Sequence, residues 1–144
     1  MTIAAILKHK GFEITSVAPE ASIAEVARTL AEKRIGAVLV LDSADQLLGI
    51  VSERDIVRTL AELGARTLEM TAGQLMTRSL KVAKPSTTVG EAMEMMTHGR
   101  FRHLPVVESG TLVGLVSIGD VVKARILQQE SEVDSLKAYV AGSA

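Results

Sequence analysis

Apolar residues follow helical spacing over positions 23–31 and 89–96, and they form continuous runs over 37–41 and 104–107. The first spacing predicts amphipathic helices, each with one buried face. A short continuous apolar run is typical of a strand that is buried on both faces. The pattern therefore predicts a helix followed by a buried strand, and it does so twice along the chain.

The two occurrences are copies of one internal repeat. Segment 47–57 recurs as 112–122, an offset of 65 positions, and segment 22–27 recurs as 88–93, an offset of 66. In each copy the longer segment predicts a second strand that leads directly into a helix, and a short extended segment comes before the first helix. The predicted order in each repeat is therefore strand, helix, strand, strand, helix.

Capping pairs mark the start of the first helix in each repeat. Ser22 with Glu25 and Thr88 with Glu91 have the spacing of capping boxes. In such a box the hydroxyl and the carboxylate satisfy amides of the first helical turn. The sequence thus predicts helices that begin at the same place in both copies.

These signals divide the chain into an N-terminal helix, two repeats with a linker between them, and a C-terminal helix. We expect the two repeats to fold as one module. The predicted boundaries are 1–13 for the N-terminal helix, 14–60 for the first repeat, 61–78 for the linker, 79–126 for the second repeat and 127–144 for the C-terminal helix.

The predicted C-terminal helix has one apolar face. Ile126, Val133 and Val140 recur every seven residues, with Leu136 between them. Such spacing favours packing against a partner chain. Within the linker, positions 71–76 predict a single helical turn.

Composition narrows the class of protein. The chain has 144 residues, a formal net charge of −1 and no cysteine. The small net charge gives no indication of binding to nucleic acid or to an acidic membrane, and the lack of cysteine excludes disulfides and thiolate metal sites. The longest early apolar run, 3–7, is too short for a signal or membrane-spanning segment. We therefore expect a cytoplasmic protein.

Three motifs carry a resemblance to a known family. They are GIVSERD at 49–55, FRHLPVV at 101–107 and GLVSIGD at 114–120. The motifs resemble those of the CBS domain family, and two copies at this spacing resemble a CBS domain pair, or Bateman module, over residues 14–126. The resemblance implies an α/β fold in which tandem CBS repeats pack about a pseudo-twofold axis, with two clefts between them.

The same resemblance implies a class of ligand. Clefts of this family take adenosine compounds, namely AMP, ADP, ATP, NAD(H) or S-adenosylmethionine. The combination of Glu-Arg-Asp, Arg-His-Leu-Pro-Val and a Gln-rich C-terminal helix resembles bacterial stand-alone proteins that bind AMP and sometimes NAD(H). Pairs of this kind commonly associate, so we expect a homodimer or a higher oligomer, with no metal required.

Two Ser-x-x-Asp pairs, Ser52 with Asp55 and Ser117 with Asp120, are the first candidate site residues. One interpretation is that the pairs only cap helices, since this spacing is a capping pattern. The other is that each carboxylate accepts hydrogen bonds from a ribose diol, beside helix amides that favour a phosphate. A capping serine is compatible with a carboxylate that faces the ligand, so both interpretations stay open.

Arg54, Arg102 and His103 are the candidate phosphate ligands, because the planar fork of an arginine matches phosphate oxygens. The alternative is a solvated basic edge. Arg102 and His103 directly precede a predicted buried strand, where side chains can point into a cleft.

The two repeats carry different residues at these places. Gly36 and Ala37 stand in the first repeat where the second has Arg102 and His103. The positions that match Glu53 and Arg54 of the first repeat are Ile118 and Gly119. We infer that the two clefts are not equivalent.

Four further candidates concern the adenine base. Thr15, Val17 and Leu80 flank the first strand of each repeat, where the family resemblance implies backbone hydrogen bonds to adenine. Ile35 is a candidate for packing against the base. Apolar residues at such positions also serve simply as core, and this alternative stays open.

The sequence predicts a binding module and no enzyme. His9, His98 and His103 have no carboxylate or cysteine at metal-ligand spacing. A nucleotide hydrolase that uses Asp55 or Asp120 is disfavoured, because a paired base and an activated nucleophile are lacking. We expect a regulatory module that senses energy or redox state through AMP or NAD(H) and signals to an unidentified regulated protein by a change in repeat or dimer orientation. The alternative is a ligand-free structural or interaction dimer.

Overall fold

The computed structural model describes residues 1–142, in two units that each contain one repeat. The first-repeat unit is the continuous stretch 13–80. The second-repeat unit combines residues 1–12 with residues 81–142. Helices and strands are mixed in both units, so the predicted α/β class is confirmed.

The elements follow the predicted order in the first repeat. Along the whole chain they are α1 (Ile3–Lys10), β1 (Ser16–Val17), α2 (Ile23–Lys33), β2 (Ala37–Leu41), β3 (Leu47–Ser52), α3 (Glu53–Leu63), a 3₁₀ helix (Gly64–Glu69), α4 (Ala72–Leu75), α5 (Val89–Gly99), β4 (His103–Glu108), β5 (Thr111–Ser117) and α6 (Ile118–Gly142). The single helical turn predicted in the linker is α4, with Thr71 as its N-cap.

The first-repeat unit contains a three-stranded sheet in the order β1-β2-β3. Strand β1 runs parallel to β2, and β2 runs antiparallel to β3. The continuous apolar run predicted a strand buried on both faces, and Val38, Leu39 and Val40 of β2 are fully buried. Helix α2 adds Ile23 and Val26 to the same core.

The second-repeat unit contains an antiparallel pair, β4 and β5. The first strand of this repeat is reduced to one parallel bridge between Ala83 and Val106. Helix α1 packs into the core of this unit, since Ile3 and Leu7 are almost completely buried there. The amphipathic helix predicted at the N-terminus is thus present, and it belongs with the second repeat.

Helix α6 is continuous through the boundary drawn from the sequence at 126/127. No glycine or proline occurs in 120–141 to end it. Its buried residues, Val121 and Ala124, lie near its start. The spaced apolar residues that follow, Ile126, Val133, Leu136 and Val140, are exposed.

The predicted hydroxyl caps form at the first helix of each repeat, but of these two helices only α5 has the full capping box, and at α2 the bond from the Ser22 amide to the Glu25 carboxylate is not made. Ser22 Oγ accepts a hydrogen bond from the backbone amide of Glu25 at 3.2 Å. Thr88 and Glu91 form both bonds of the capping box. The helix starts are therefore fixed locally, as the sequence predicts.

Gly49 allows a close approach of backbone to strand β3. Ile50 exchanges two backbone hydrogen bonds with Thr77, at 3.1 and 2.9 Å. A Cβ atom at Gly49 would lie 2.7 Å from the Thr77 carbonyl oxygen and 2.8 Å from Met76 Sδ. The segment after α4 can cross β3 here because residue 49 has no side chain.

We expect Gly49→Ala to destabilise the protein by about 1–3 kcal/mol, because the added methyl overpacks a contact with backbone. The measurement is the free energy of unfolding from urea titration. The control is Gly90→Ala on α5, where a Cβ meets nothing within 4 Å. That change should leave stability unchanged or raise it by up to about 1 kcal/mol. Equal effects of the two substitutions would contradict the close approach at Gly49.

Candidate functional site

The first junction is the place where β3 ends at Ser52 and α3 begins. Ser52 Oγ accepts a hydrogen bond from the Asp55 amide, and the Ser52 amide donates to Asp55 Oδ2 at 3.0 Å. The Ser52 hydroxyl also donates to Oδ2, at 2.9 Å, and Arg58 donates to Oδ1 at 2.7 Å. Asp55 is buried. Both of its carboxylate oxygens therefore already accept hydrogen bonds from the protein.

The second junction has the same box, where β5 ends at Ser117 and α6 begins. The Ser117 amide donates to Asp120 Oδ2 at 2.8 Å, and Ser117 Oγ accepts from the Asp120 amide at 3.1 Å. The cation that pairs with this carboxylate is Lys10 of α1, whose Nζ lies 2.7 Å from Oδ2. Within residues 1–142, Oδ1 of Asp120 accepts no hydrogen bond. The capping interpretation is confirmed at both junctions, and the ribose role stays a prediction.

The surroundings of Asp120 favour its charged form. Burial raises the pKa of this carboxyl, but the hydrogen bonds from Lys10 and Ser117 and the charge of Lys10 lower it. The net effect holds the pKa of Asp120 below the usual value of 3.8. The carboxylate is therefore ionised at neutral pH.

Each junction is joined to the start of the neighbouring strand. The Glu53 amide donates to the Gly36 carbonyl at 2.9 Å, and the Ile118 amide donates to the Arg102 carbonyl at 2.7 Å. Strand register places Ala37 opposite Ser52. The structure thus brings Gly36 and Ala37 to the first junction.

The strand register acts in the same way in the second repeat. His103 pairs with Ser117, so Arg102 and His103 lie at the second junction. Arg102, Ile118 and Gly119 are exposed there, and His103 is half-buried. Arg54, the candidate of the first junction, is exposed as well.

The adenine candidates make backbone and core contacts within the first-repeat unit. The carbonyl of Thr15 accepts a hydrogen bond from the Leu39 amide at 3.1 Å, so its acceptor is used in the sheet. Val17 and Ile35 are half-buried and pack against the first-repeat core. The amide of Leu80 donates to the Arg78 carbonyl at 3.0 Å. Their roles toward a base stay predictions.

A groove on the first-repeat unit was not predicted from the sequence. It lies between α2 and α3 and has a volume of about 490 Å³. Small and branched apolar side chains line it, with one charge of each sign. Its lining residues are Ala27, Leu30, Ala31, Arg34, Ile35, Gly36, Glu53, Ile56 and Val57. The apolar periodicity of one helix does not indicate this groove, because residues of two different helices form it.

Residues 1–142 contain neither a cluster of metal ligands nor a helix that could span a membrane. No group of three or more His, Asp or Glu side chains in residues 1–142 is placed to hold a metal ion. No helix within the same range is long and apolar enough to cross a membrane.

Comparison with known proteins identifies the repeats. The family model described as CBS domain matches residues 9–62 and again 72–127. The chain belongs to the CBS domain family. The predicted pair of tandem CBS repeats is therefore confirmed.

Solved CBS structures resemble this chain in fold. The CBS-domain-containing protein ATU1752 from Agrobacterium tumefaciens is 44% identical with a TM-score of 0.84, and the match covers 86% of this chain and 92% of that one. The CBS domain protein PAE2072 from Pyrobaculum aerophilum, solved as a complex with AMP, is 29% identical with a TM-score of 0.73. That match covers 83% of this chain and 89% of the other.

A curated CBS relative comes from a plant. The mitochondrial CBS domain-containing protein CBSX3 of Arabidopsis thaliana is 32% identical over 149 aligned positions. The match covers 98% of this chain and 72% of the relative. The likeness thus extends over both CBS repeats.

We expect the ion pair at the second junction to make stability depend on pH. Since the pKa of Asp120 is lower in the folded state than the ordinary value of 3.8, its contribution is present above that value. The contribution is lost as the pH falls through the folded pKa. Asp120→Asn should therefore cost up to about 1 kcal/mol at neutral pH and less in acid.

The measurement is the free energy of unfolding of Asp120→Asn and of the unmodified chain between neutral pH and pH about 3. Asparagine keeps a side-chain acceptor for the Ser117 amide, so the comparison isolates the charge. Asp134→Asn, at an exposed position on α6, serves as the control. A cost that stays constant over this pH range would contradict the role of the ion pair.

Proposed function

We propose that this chain is a regulatory module that binds an adenine nucleotide, with AMP as the first candidate and NAD(H) as the second. The observation that carries the proposal is the AMP complex of the Pyrobaculum relative, whose fold the chain shares over both repeats. ADP, ATP and S-adenosylmethionine are further ligands to test. Nucleotide binding would change the orientation of the repeats or of the dimer, and a regulated protein would respond to that change.

The chemistry of the junctions supports the proposal. Each places an aspartate next to the first amides of a helix, where an anion such as phosphate is favoured. Basic side chains lie at or beside both junctions, Arg54 at the first and Arg102 with His103 at the second. A carboxylate for the ribose diol and a cation for the phosphate are the two groups that a nucleotide needs.

We assign the stronger site to the second junction. The side chain of Asp120 is 26% exposed, whereas that of Asp55 is 11% exposed. A buried carboxylate with both oxygens engaged has to give up hydrogen bonds before it binds a diol. Thr15, Val17 and Leu80 of the first-repeat unit are separately proposed to contact an adenine base, whereas Ile35 lines the groove between α2 and α3.

Thermal melting with each nucleotide tests the proposal. A ligand at about a hundred times its dissociation constant stabilises a protein by roughly 2.7 kcal/mol, and about 1 kcal/mol corresponds to 2–4 °C at this size. We expect AMP to raise the melting temperature of the unmodified chain. Asp120→Asn should reduce the shift more than Asp55→Asn does, and Asp134→Asn should leave it unchanged.

The outcomes separate the candidate functions. No shift with any nucleotide, in protein shown to be nucleotide-free, would overturn the proposal and favour the ligand-free interaction dimer. The hydrogen bonds that occupy both oxygens of Asp55 are the observation on which that alternative rests. A cytoplasmic location also remains a prediction.

We further propose that the chain forms a homodimer through the groove between α2 and α3. Arg34 and Glu53 both line this groove, so two copies related by a twofold axis can place each charge opposite its counterpart. Val57 at the groove is 65% exposed, although it is a large apolar residue. Covering it with a second copy removes apolar surface from water.

Val57→Asp should shift the dimer toward monomer, because burying a carboxylate in this contact costs free energy, whereas burying the valine side chain releases it. Analytical ultracentrifugation over a range of concentrations measures the shift. Leu136→Asp is the comparison variant, since Leu136 lies on the exposed face of α6. A monomeric unmodified chain, or dissociation by Leu136→Asp but not by Val57→Asp, would overturn the groove as the interface.

A further inference from the structure

Lys10 reaches the second junction from a different part of the chain. Its Nζ donates to Asp120 Oδ2 at 2.7 Å and to the carbonyl of Leu115 at 3.0 Å. The helix that carries it is firmly docked, since Leu7 is buried against Gly114 of β5. The Ile3 amide also donates to the Thr87 carbonyl at 2.8 Å. The position of the ammonium group is therefore fixed by α1.

The first junction obtains its cation in another way. Arg58, three residues along the same helix, donates to Asp55 Oδ1, and Ser52 engages Oδ2. The position in α6 that matches Arg58 is Lys123, which is exposed. The two carboxylates thus differ in the source of the cation and in the oxygen that it occupies.

We propose that Lys10 is a positioning residue for nucleotide binding at Asp120. It holds Oδ2 together with the Ser117 amide, which leaves Oδ1 to accept a hydrogen bond from a ribose hydroxyl. The inference rests on the proposed function and adds to it a residue outside the repeat motifs. Helix α1 then becomes part of the nucleotide site of the second repeat.

Charge gives a second reason for this role. A nucleotide brings at least one negative phosphate, and an uncompensated carboxylate beside it would weaken binding by repulsion. Lys10 offsets the charge of Asp120 at hydrogen-bond distance. An ammonium group has three donors, and two of them are used here, so one remains for an oxygen of the ligand.

Calorimetric titration with AMP tests the inference. All variants carry Asp55→Asn, so that binding at the second junction dominates while the first helix keeps a side-chain acceptor at its cap. Lys10→Met should raise the dissociation constant about fivefold or more. Lys8→Met is the matched control, because it removes the same charge from an exposed position of the same helix, and it should leave the constant unchanged.

Two further variants separate positioning from general structure. Lys10→Arg keeps the charge and should restore most of the affinity. When Asp120→Asn is also present, Lys10→Met should have little additional effect, because the two residues act through one contact. If Lys10→Met loses helical circular dichroism, the inference is tested instead by the AMP affinity of Lys10→Arg, alone and combined with Asp120→Asn.

Each result has a distinct meaning. No binding of AMP, NAD(H) or any other nucleotide tested by the unmodified chain overturns the proposed function, and this inference with it. Binding by the unmodified chain with equal constants for Lys10→Met and Lys8→Met overturns the inference alone. Tighter binding by Lys10→Met also overturns it, and would mean that the ammonium group competes with the ligand. An unchanged constant in Asp120→Asn contradicts the assignment of the site to the second junction.

Discussion

The reciprocal hydrogen bonds between serine and aspartate at the two junctions determine where the parts of each repeat lie. Each box begins a helix in the residue after a strand ends, and such a cap contributes typically about 1 kcal/mol. The same helix start is also bonded to the neighbouring strand, through the carbonyl of Gly36 or of Arg102. The carboxylate, the helix amides and the residues before the buried strand are therefore held together by local bonds. This arrangement gives both repeats the same framework while their exposed side chains differ.

Features that depend on neighbouring residues were predictable from the sequence. The repeat, the strand and helix order and the capping pairs all follow from spacings of a few residues. The structure begins β4 at His103, one position before the apolar run 104–107, and continues β3 as far as the polar residue Ser52. Strand pairing accounts for these extensions, because Ala37 pairs with Ser52 and His103 with Ser117. Apolar patterning alone does not predict that a polar residue, such as Ser52 or His103, continues the hydrogen-bonded pairing of two strands.

Features that depend on tertiary packing were not predictable from the sequence. Lys10 and Asp120 are 110 positions apart, and no local pattern links them. The sequence predicted α1 but could not assign it to either repeat. The groove between α2 and α3 likewise requires the relative placement of two helices. For the site, the sequence identified the serine and aspartate pairs, whereas the cation beside Asp120 emerged only from the structure; Arg58 lies only three residues from Asp55, at a local spacing that the sequence analysis did not use.

The docking of α1 has a consequence for the order in which the chain folds. The first-repeat unit is one continuous stretch, so its strands can pair soon after they are synthesised. Helix α1 is made earlier, but its partner surface on β5 contains Gly114 and is made much later. At ribosomal rates of about 5–20 residues per second, Leu7 waits roughly 5–20 s for that surface. Residues 83–96 offer α1 its first native partners, but the contact of Leu7 with β5 is missing during this interval, so the docking of the early helix is completed only after a late strand has been made.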